Sequence, residues 1–501
     1  MTLLARAPTR VTRSLLVGAL FASSASSAPS AVIQSSVAFP KEVYAERRAR
    51  LMGTLQAPVI VPGEYMIRHE GVKKQDPNFF YLTGVESPYA ILVVAPDGRG
   101  GVREALFLPG PREFAGAQYP YEDPRLTGAA WNRMIRRLSP GPEAEAATGV
   151  AETYPLDDFT RVLPGLVAGA DTVWFVEDHD ALYAPPGLAQ PLSVRQQLEA
   201  SVAALLPGRV LGDAGPAVER MRVIKDRWEI DALRRAANIS ADGLVEAMRR
   251  IRPGMNDLEV AGIMEWTWKR EGSPRASFTP IVASGPDAVS LFTIRSENYD
   301  AVNRVMRDGD LVFIDYGAAE WAMYTSDLCR TFPVSGRFTE EQRRLYGIVL
   351  EAQEAAIAAV RPGVTILDVI RAAAEVYRRH GLEAKEDIDA MGGPERVWGV
   401  MPSPTHYLER RGGLTRYTAL GGSGVRDIGH HIGLEATDGR DYSTPLEPGM
   451  VFTVEPKLYA PELDVAIMIE DMILVTPDGH ENLSARAPKA VEDIERIMGG
   501  R

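Results

Sequence analysis

The sequence predicts an α+β protein in which a duplicated C-terminal domain follows a smaller α/β domain. Two stretches, Gly309-Asp310-Leu311-Val312-Phe313-Ile314-Asp315 and Gly449-Met450-Val451-Phe452-Thr453-Val454-Glu455, are near copies: each is an apolar strand that ends on an acid at the same distance from a leading glycine. A second pair of copies lies upstream of them. Arg252-Pro253-Gly254 opens a helix that stops near Lys269-Arg270-Glu271-Gly272, and Arg361-Pro362-Gly363 opens another that stops near Arg378-Arg379-His380-Gly381. Start and stop recur at one common offset, so the element length is matched as well as its ends. A glycine at each stop suits a left-handed C-cap, and the basic residues before it suit the helix dipole. In the N-terminal part, short apolar runs alternate with helical stretches, the pattern of an α/β layer.

Taken in order, the chain of 501 residues, 45% hydrophobic and 24% charged, is long for one core. Two globular domains are expected, residues 39–212 and 218–498. A net charge of −12 leaves no basic footprint for nucleic acid or an anionic membrane, so a small molecule or peptide is the expected partner. Arg6, Arg10 and Arg13, the apolar run Leu15 to Ala22 and the small residues through Ala28 have the order of a secretory signal, assigned to residues 1–28 with a cut near Ala25. This implies export to a periplasmic or extracellular location; a leader without that role would leave the chain cytoplasmic. The run is too short to span a bilayer, and no stable membrane insertion is expected.

In the first domain, Ala45 to Leu55 reads as a helix, and Pro58–Pro62, Ala90–Pro96, Glu104–Leu108 and Thr172–Glu177 read as strands. Phe79, Phe80 and Tyr81 are expected to pack in the core or at a domain interface. The boundary falls near Gly212 to Val218, and a helix is expected from Asp226 to Arg250. The single cysteine, Cys329, excludes a disulfide or a thiolate cluster within the chain and reads as a small buried residue.

The chemistry gathers in the second domain. Asp315 is followed by Asp327, Glu455 by the strand Val465 to Asp471 with Glu470, and between them stands Gly429-His430-His431-Ile432-Gly433-Leu434. Acids at the ends of buried strands are costly unless they meet cations. Four such carboxylates with one neutral imidazole carry about four negative charges, which two divalent ions would neutralise. Oxygen ligands with one nitrogen and no sulfur favour manganese, with zinc or cobalt as alternatives. His431, next to a ligand candidate on a strand, points to the other side. His406, Arg410, Arg411 and Arg416 sit in a glycine- and arginine-rich insertion, read as a solvated loop or as a pocket rim for a substrate carboxylate. His69, His179 and His480 fall in no motif.

On these residues the chain resembles the Xaa-Pro aminopeptidases (aminopeptidase P) and prolidases, the pita-bread metallopeptidases related to creatinases. The motifs are Asn78 to Gly84, Ile314-Asp315-Tyr316-Gly317, Ser326-Asp327-Leu328-Cys329-Arg330-Thr331-Phe332, Gly429 to Leu434, Glu447 to Pro456 and Ile469-Glu470-Asp471. The resemblance implies a duplicated pita-bread catalytic domain after an aminopeptidase P-like N-terminal domain. It implies a dinuclear centre on Asp315, Asp327, His430, Glu455 and Glu470, with Glu455 as general base, and a peptide substrate with proline in second position. It also implies a dimer or tetramer.

The chain departs from the family around the ligands. Histidines are replaced by Phe292, Thr437 and Arg426, an arginine by Met468, and the spacing from Asp315 to Asp327 is one residue longer through Ala318-Ala319, which a bulge would absorb. Phe292, Arg426, His431 and Thr437 are the candidates for the surround of the ligands or for substrate binding, with Arg426 or Arg295 as replacement donors. Three readings follow: an Xaa-Pro aminopeptidase with substituted donors, a related metal-dependent hydrolase of another amide, and a metal- and peptide-binding pseudoenzyme.

Overall fold

The computed structural model describes residues 38–64, 74–87, 89–109, 138–177, 192–289, 303–382, 405–411, 414–419, 429–438, 444–460 and 463–500. The expected signal segment, Phe292, Arg295, Arg426, His69 and His179 lie outside the described residues.

The N-terminal part is built on a six-stranded mixed sheet. Its strands are β1 (Val59–Pro62), β2 (Ile91–Pro96), β3 (Val102–Leu108), β4 (Glu152–Pro155), β5 (Thr172–Phe175) and β6 (Val210–Asp213), in the order β4-β3-β2-β1-β5-β6. Alternation sends Ile60, Ile91, Val93 and Phe107 to one face, against Phe159 and Leu163 of a short helix. Val59, Val61, Leu92 and Leu106 go to the other face, against Tyr44 and Leu51 of the first helix, α1 (Lys41–Leu55). A sheet covered on both faces needs apolar side chains at successive positions, which is why its central strands read as unbroken apolar runs.

The aromatic segment folds as α2 (Pro77–Thr83), capped by the Asp76 side chain at its start and by left-handed Gly84 at its end, with Phe79, Phe80 and Tyr81 buried. β4 and β6 were not expected. They are short edge strands, and their residues are half-buried or exposed, which hides them from an apolar-run criterion.

The second part contains the duplication. A long helix, α3 (Arg227–Arg250), is followed by α4 (Asp257–Arg270), and another long helix, α5 (Glu340–Ala359), by α6 (Ile366–Arg379). Each pair packs together. The Arg-Pro-Gly triplets do not open helices as expected; they form turns. Gly254 and Gly363 take the left-handed conformation, and their N–H groups bond to Met306 O and Leu446 O. The helices begin a little later, at capping boxes formed by Asn256 with Glu259 and by Thr365 with Asp368.

Among the described residues there are two three-stranded sheets. In one, β8 (Leu311–Asp315) lies between β7 (Val282–Ser284) and β11 (Cys329–Pro333). In the other, β14 (Val451–Val454) pairs with β17 (Asp471–Thr476), which pairs with β18 (Gly479–Asn482). The two correspond in one antiparallel pair, β8 with β11 and β14 with β17, and differ in where the third strand adds. The run Val465 to Asp471, expected as one strand, is two: β16 (Val465–Met468) pairs with β15 (Lys457–Ala460), and β17 begins at Asp471 in a different sheet. Glu470 sits at that switch. The arginine-rich insertion is a hairpin rather than a loop, β12 (Thr405–Arg411) and β13 (Leu414–Ala419), with β12 parallel to β15.

Asp315 and Asp327 are joined by a small hairpin, β9 (Glu320–Trp321) and β10 (Tyr324–Thr325), whose two turn residues Ala322 and Met323 are both left-handed. The expected bulge is present, but at a different place. Asp315 pairs with Cys329, whereas Gly317 N already bonds to Leu328 O, so the ladder slips by one residue at Tyr316-Gly317. A side chain at position 317 would collide with Leu328. Among the described residues no helix is long and apolar enough to cross a membrane.

Candidate metal centre

Strand ends bring the acids together. Asp315 closes β8, Asp327 stands just before β11, Glu455 just after β14 and Glu470 just before β17. Each half of the duplication thus places one acid where a strand ends and another where its antiparallel partner begins. His430 arrives on a separate segment fixed beside β14, where Thr453 N donates to His430 O and Thr453 Oγ1 accepts from His430 N. A side chain at Gly429 would collide with Thr453 O, so only glycine allows this approach.

All five residues are less than one-tenth exposed. One ligand atom each from Asp327, His430 and Glu470 lies within 4.8 Å of the other two. His430 Nε2 is 3.5 Å from Asp327 Oδ2 and 3.6 Å from Glu455 Oε1. Its Nδ1 is 3.1 Å from His431 O, which can only accept, so Nδ1 carries the proton and Nε2 presents a lone pair to the carboxylates.

Glu470 is held well above the usual carboxylate range by burial and by the negative charge of Asp327, Glu455 and Asp315. Its Oε2 is buried without a hydrogen-bond partner among the described residues. A carboxylate with an orphaned oxygen, on one of three residues whose ligand atoms converge, in an oxygen-rich set with one imidazole nitrogen, fits a divalent cation of hard or borderline character.

Behind this cluster lies a rigid cationic support. Arg330, on β11, donates to the backbone carbonyls of Cys329, Glu470, Ala487 and Pro488 and to Asp471 Oδ1 at 2.6 Å. Asp471 also accepts from Ser484, Gln353, Asn482 and Lys489. Burial opposes its charge, but Arg330 and Lys489 outweigh burial and hold its carboxyl below the usual range. The residue next to Glu470 is thereby fixed from both sides.

Lys457 was not anticipated. Its side chain is buried, with Nζ 2.8 Å from Glu455 Oε2, and Thr453 Oγ1 donates to Glu455 Oε1 at 3.2 Å. Burial opposes the ammonium charge, but Glu455, Tyr459 and Asp315 override it and raise its pKa. Thr453, on β14, and Lys457, the first residue of β15, flank Glu455 at two residues on either side, in the short segment where the chain passes from one sheet to the other. Lys457 is also the cross-strand partner of Met468, the position at which the resemblance called for an arginine.

His431 stacks its ring edge-on against Phe452, and its carbonyl accepts from Asp438 N. Thr437 is half-buried in the turn residues 433–438. That turn is tied to the first domain: Arg222, just past the domain boundary, bonds to Glu435 and Asp438 and, through Nη1, to Asn78 Oδ1 at 2.8 Å, while Lys74 donates to Leu434 O. Cys329 is fully buried, and burial together with Asp315 and Glu470 pushes its thiol up, away from the reactive thiolate.

Residues 231–477 match metallopeptidase family M24, and residues 44–174 match the aminopeptidase P N-terminal domain. The chain is 32% identical over 437 residues to the Xaa-Pro aminopeptidase of Escherichia coli strain K12, covering 85% of this chain and 89% of that one. It is 30% identical over 482 residues to the Xaa-Pro aminopeptidase of Haemophilus influenzae, covering 92% and 97%. A solved structure described as zinc-substituted E. coli aminopeptidase P in complex with product superimposes with a TM-score of 0.70 at 28% identity, covering 92% of this chain and 99% of that one.

Proposed function

Because this chain belongs to the Xaa-Pro aminopeptidases of metallopeptidase family M24, we propose that Asp315, Asp327, His430, Glu455 and Glu470 are its metal-binding residues and that Glu455 is its general base. The protein is a metal-dependent aminopeptidase that releases the N-terminal residue from peptides with proline in second position. The observation that supports this site best is the convergence of ligand atoms of Asp327, His430 and Glu470 within 4.8 Å of one another, together with Glu470 Oε2, which has no hydrogen-bond partner among the described residues.

A divalent ion held there supplies Lewis acidity, which lowers the proton affinity of water and draws electron density from an amide carbonyl. The chain does the rest. His430 is kept in the tautomer that offers Nε2, by donation from Nδ1 to the His431 carbonyl. Glu455 takes a proton from the attacking water at Oε1, the oxygen turned toward His430, and passes it to the departing proline nitrogen. Thr453 and Lys457 fix the orientation of that carboxylate through its two oxygens. Burial of the basin excludes bulk water and strengthens each of these contacts.

Manganese is the proposed resident ion on the strength of the oxygen-rich donor set, with zinc or cobalt as alternatives. Residues 1–28 are proposed to direct export, on the order of their basic, apolar and small residues. A homo-oligomer, dimer or tetramer, is proposed from the family resemblance.

The test is to purify the full chain, measure bound metal, and assay Xaa-Pro peptides alongside other small amides with Glu455→Ala as control. Metal-dependent release of the residue before proline, absent in the control, is expected. A metal-loaded protein with no turnover above the control would overturn the peptidase reading and the role of Glu455 as base, and a protein that holds no metal would overturn the assignment of the metal-binding residues.

A further inference from the structure

The two acids of the first half reach the basin by different routes. Asp315 is the last residue of β8 and is held in the ladder opposite Cys329. Asp327 belongs to no strand, because β10 ends at Thr325 and β11 begins at Cys329. Its place is set by the residues on either side of it. Leu328 is held through its carbonyl by Gly317 N. Ser326 is held from outside the hairpin.

That hold comes from α3. Ser240 Oγ accepts from Ala319 N at 2.9 Å and lies 2.6 Å from Ser326 Oγ. Ser326 Oγ donates to Ala319 O at 3.0 Å, so the proton between the two hydroxyls belongs to Ser240. Each hydroxyl donates once and accepts once, and together they close the neck of the hairpin between Ala319 and Ser326. Both serines are fully buried, where bulk water cannot replace a lost partner.

The same helix also holds the other end of the hairpin. Glu229, about three turns earlier on the same face of α3, accepts from Tyr324 OH at 2.9 Å and lies 3.1 Å from Arg47 of the first domain. Beside the neck, Thr325 N donates to Gly433 O in the turn that follows His430. The strand end that precedes Asp327 is thus placed against α3 and against the segment of a second ligand candidate.

We propose that Ser240 is a positioning residue for Asp327: it fixes Ser326 against Ala319 and so sets where the next residue delivers its carboxylate to the metal. This rests on the assignment of Asp327 as a metal-binding residue and adds to it a residue from a helix, outside the five.

The experiment reads metal affinity in folded protein, which a loss of stability alone does not change. Full-length wild type, Ser240→Ala, Ser326→Ala and the double variant are stripped with chelator and titrated with Mn(II) by calorimetry. Each single variant is expected to bind Mn(II) about 10–100-fold more weakly than wild type. Because the two hydroxyls act as one closure, the double variant should lie within about threefold of the weaker single variant. Thr148→Ala removes a buried hydroxyl that donates to Ala144 O in the first domain, and should lower thermal stability while leaving the affinity unchanged. Affinity of Ser240→Ala within about twofold of wild type would overturn the proposal, as would single losses that multiply in the double variant or an equal loss in Thr148→Ala. If Ser240→Ala does not fold, Ser326→Ala decides in its place, and unchanged affinity there overturns the proposal. Wild type without tight Mn(II) would overturn the metal-centre assignment and the proposal with it.

Discussion

Replacing Asp471 by alanine removes the counter-ion of a guanidinium with no exposed surface. The Arg330 and Asp471 side chains are both 0% exposed and 2.6 Å apart, and Asp471 gathers four further donors from Ser484, Gln353, Asn482 and Lys489. Removing one partner of such a pair leaves a buried charge uncompensated, at a cost of about 3–5 kcal/mol. For a cooperative unit of this size that corresponds to a fall in melting temperature of roughly 3–8 °C, measured on metal-free protein so that ligand linkage does not enter. Adding Arg330→Met to Asp471→Ala should recover much of the loss, because a buried pair replaced by apolar groups is often neutral. Metal affinity should fall in the single variant, since Arg330 also holds the Glu470 carbonyl. A melting shift below about 1 °C for Asp471→Ala would refute the reasoning and show that the carbonyls around Arg330 suffice to hold it.

Other outcomes follow from the same structure. Glu455→Gln should retain bound metal while turnover of an Xaa-Pro peptide falls by about 10²–10⁴-fold; a loss under about tenfold would exclude it as the base. Removal of metal by a chelator should abolish peptidase activity, and added Mn(II) should restore it in a dialysis assay. Burial pushes Asp257 up to about 6, so the folded state keeps this proton where the unfolded chain has lost it. Its stabilising contribution is therefore complete below about pH 4 and is lost as pH rises to about 6, a change of about 3 kcal/mol. Asp257→Asn should flatten that part of the denaturant-midpoint profile, and a wild-type-minus-variant difference independent of pH would contradict the assignment. Arg222→Met should lower metal affinity by loosening the turn beside His430; calorimetry that finds it unchanged would mean the turn does not position that histidine.

Much of the fold was legible because the physics is local. Strands covered on both faces must be apolar throughout, so β1, β2, β8 and β14 announce themselves, and the long helix after Asp226 was placed from its apolar spacing, whereas the capping boxes at Asn256 and Thr365 were passed over in favour of the Arg-Pro-Gly triplets just before them. Edge strands such as β4 and β6 lack that requirement and were missed. The split of Val465 to Asp471 was also invisible, since both halves are buried and only their pairing differs. Asp315, Asp327, His430, Glu455 and Glu470 were named from sequence because their motifs are specific, and the structure brings their buried side chains into one region. Lys457 was overlooked because a lysine on a strand is ordinarily read as solvated; its burial depends on carboxylates delivered from other strands. The support behind Glu470 is a tertiary network, assembled from residues as distant as Arg330 and Lys489, and no window of sequence contains it.

The junction of Asn78, Arg222, Glu435 and Asp438 bears on how such chains can be recombined. Arg222 reaches the first domain through Asn78 and the turn beside His430 through two acids. A chimera joined near residues 212–218 keeps Arg222 with Glu435 and Asp438 and loses only its Asn78 partner, together with the contact of Lys74 to Leu434 O. An incoming N-terminal domain therefore has to supply an acceptor at the place of Asn78 if the turn beside His430 is to keep its full support.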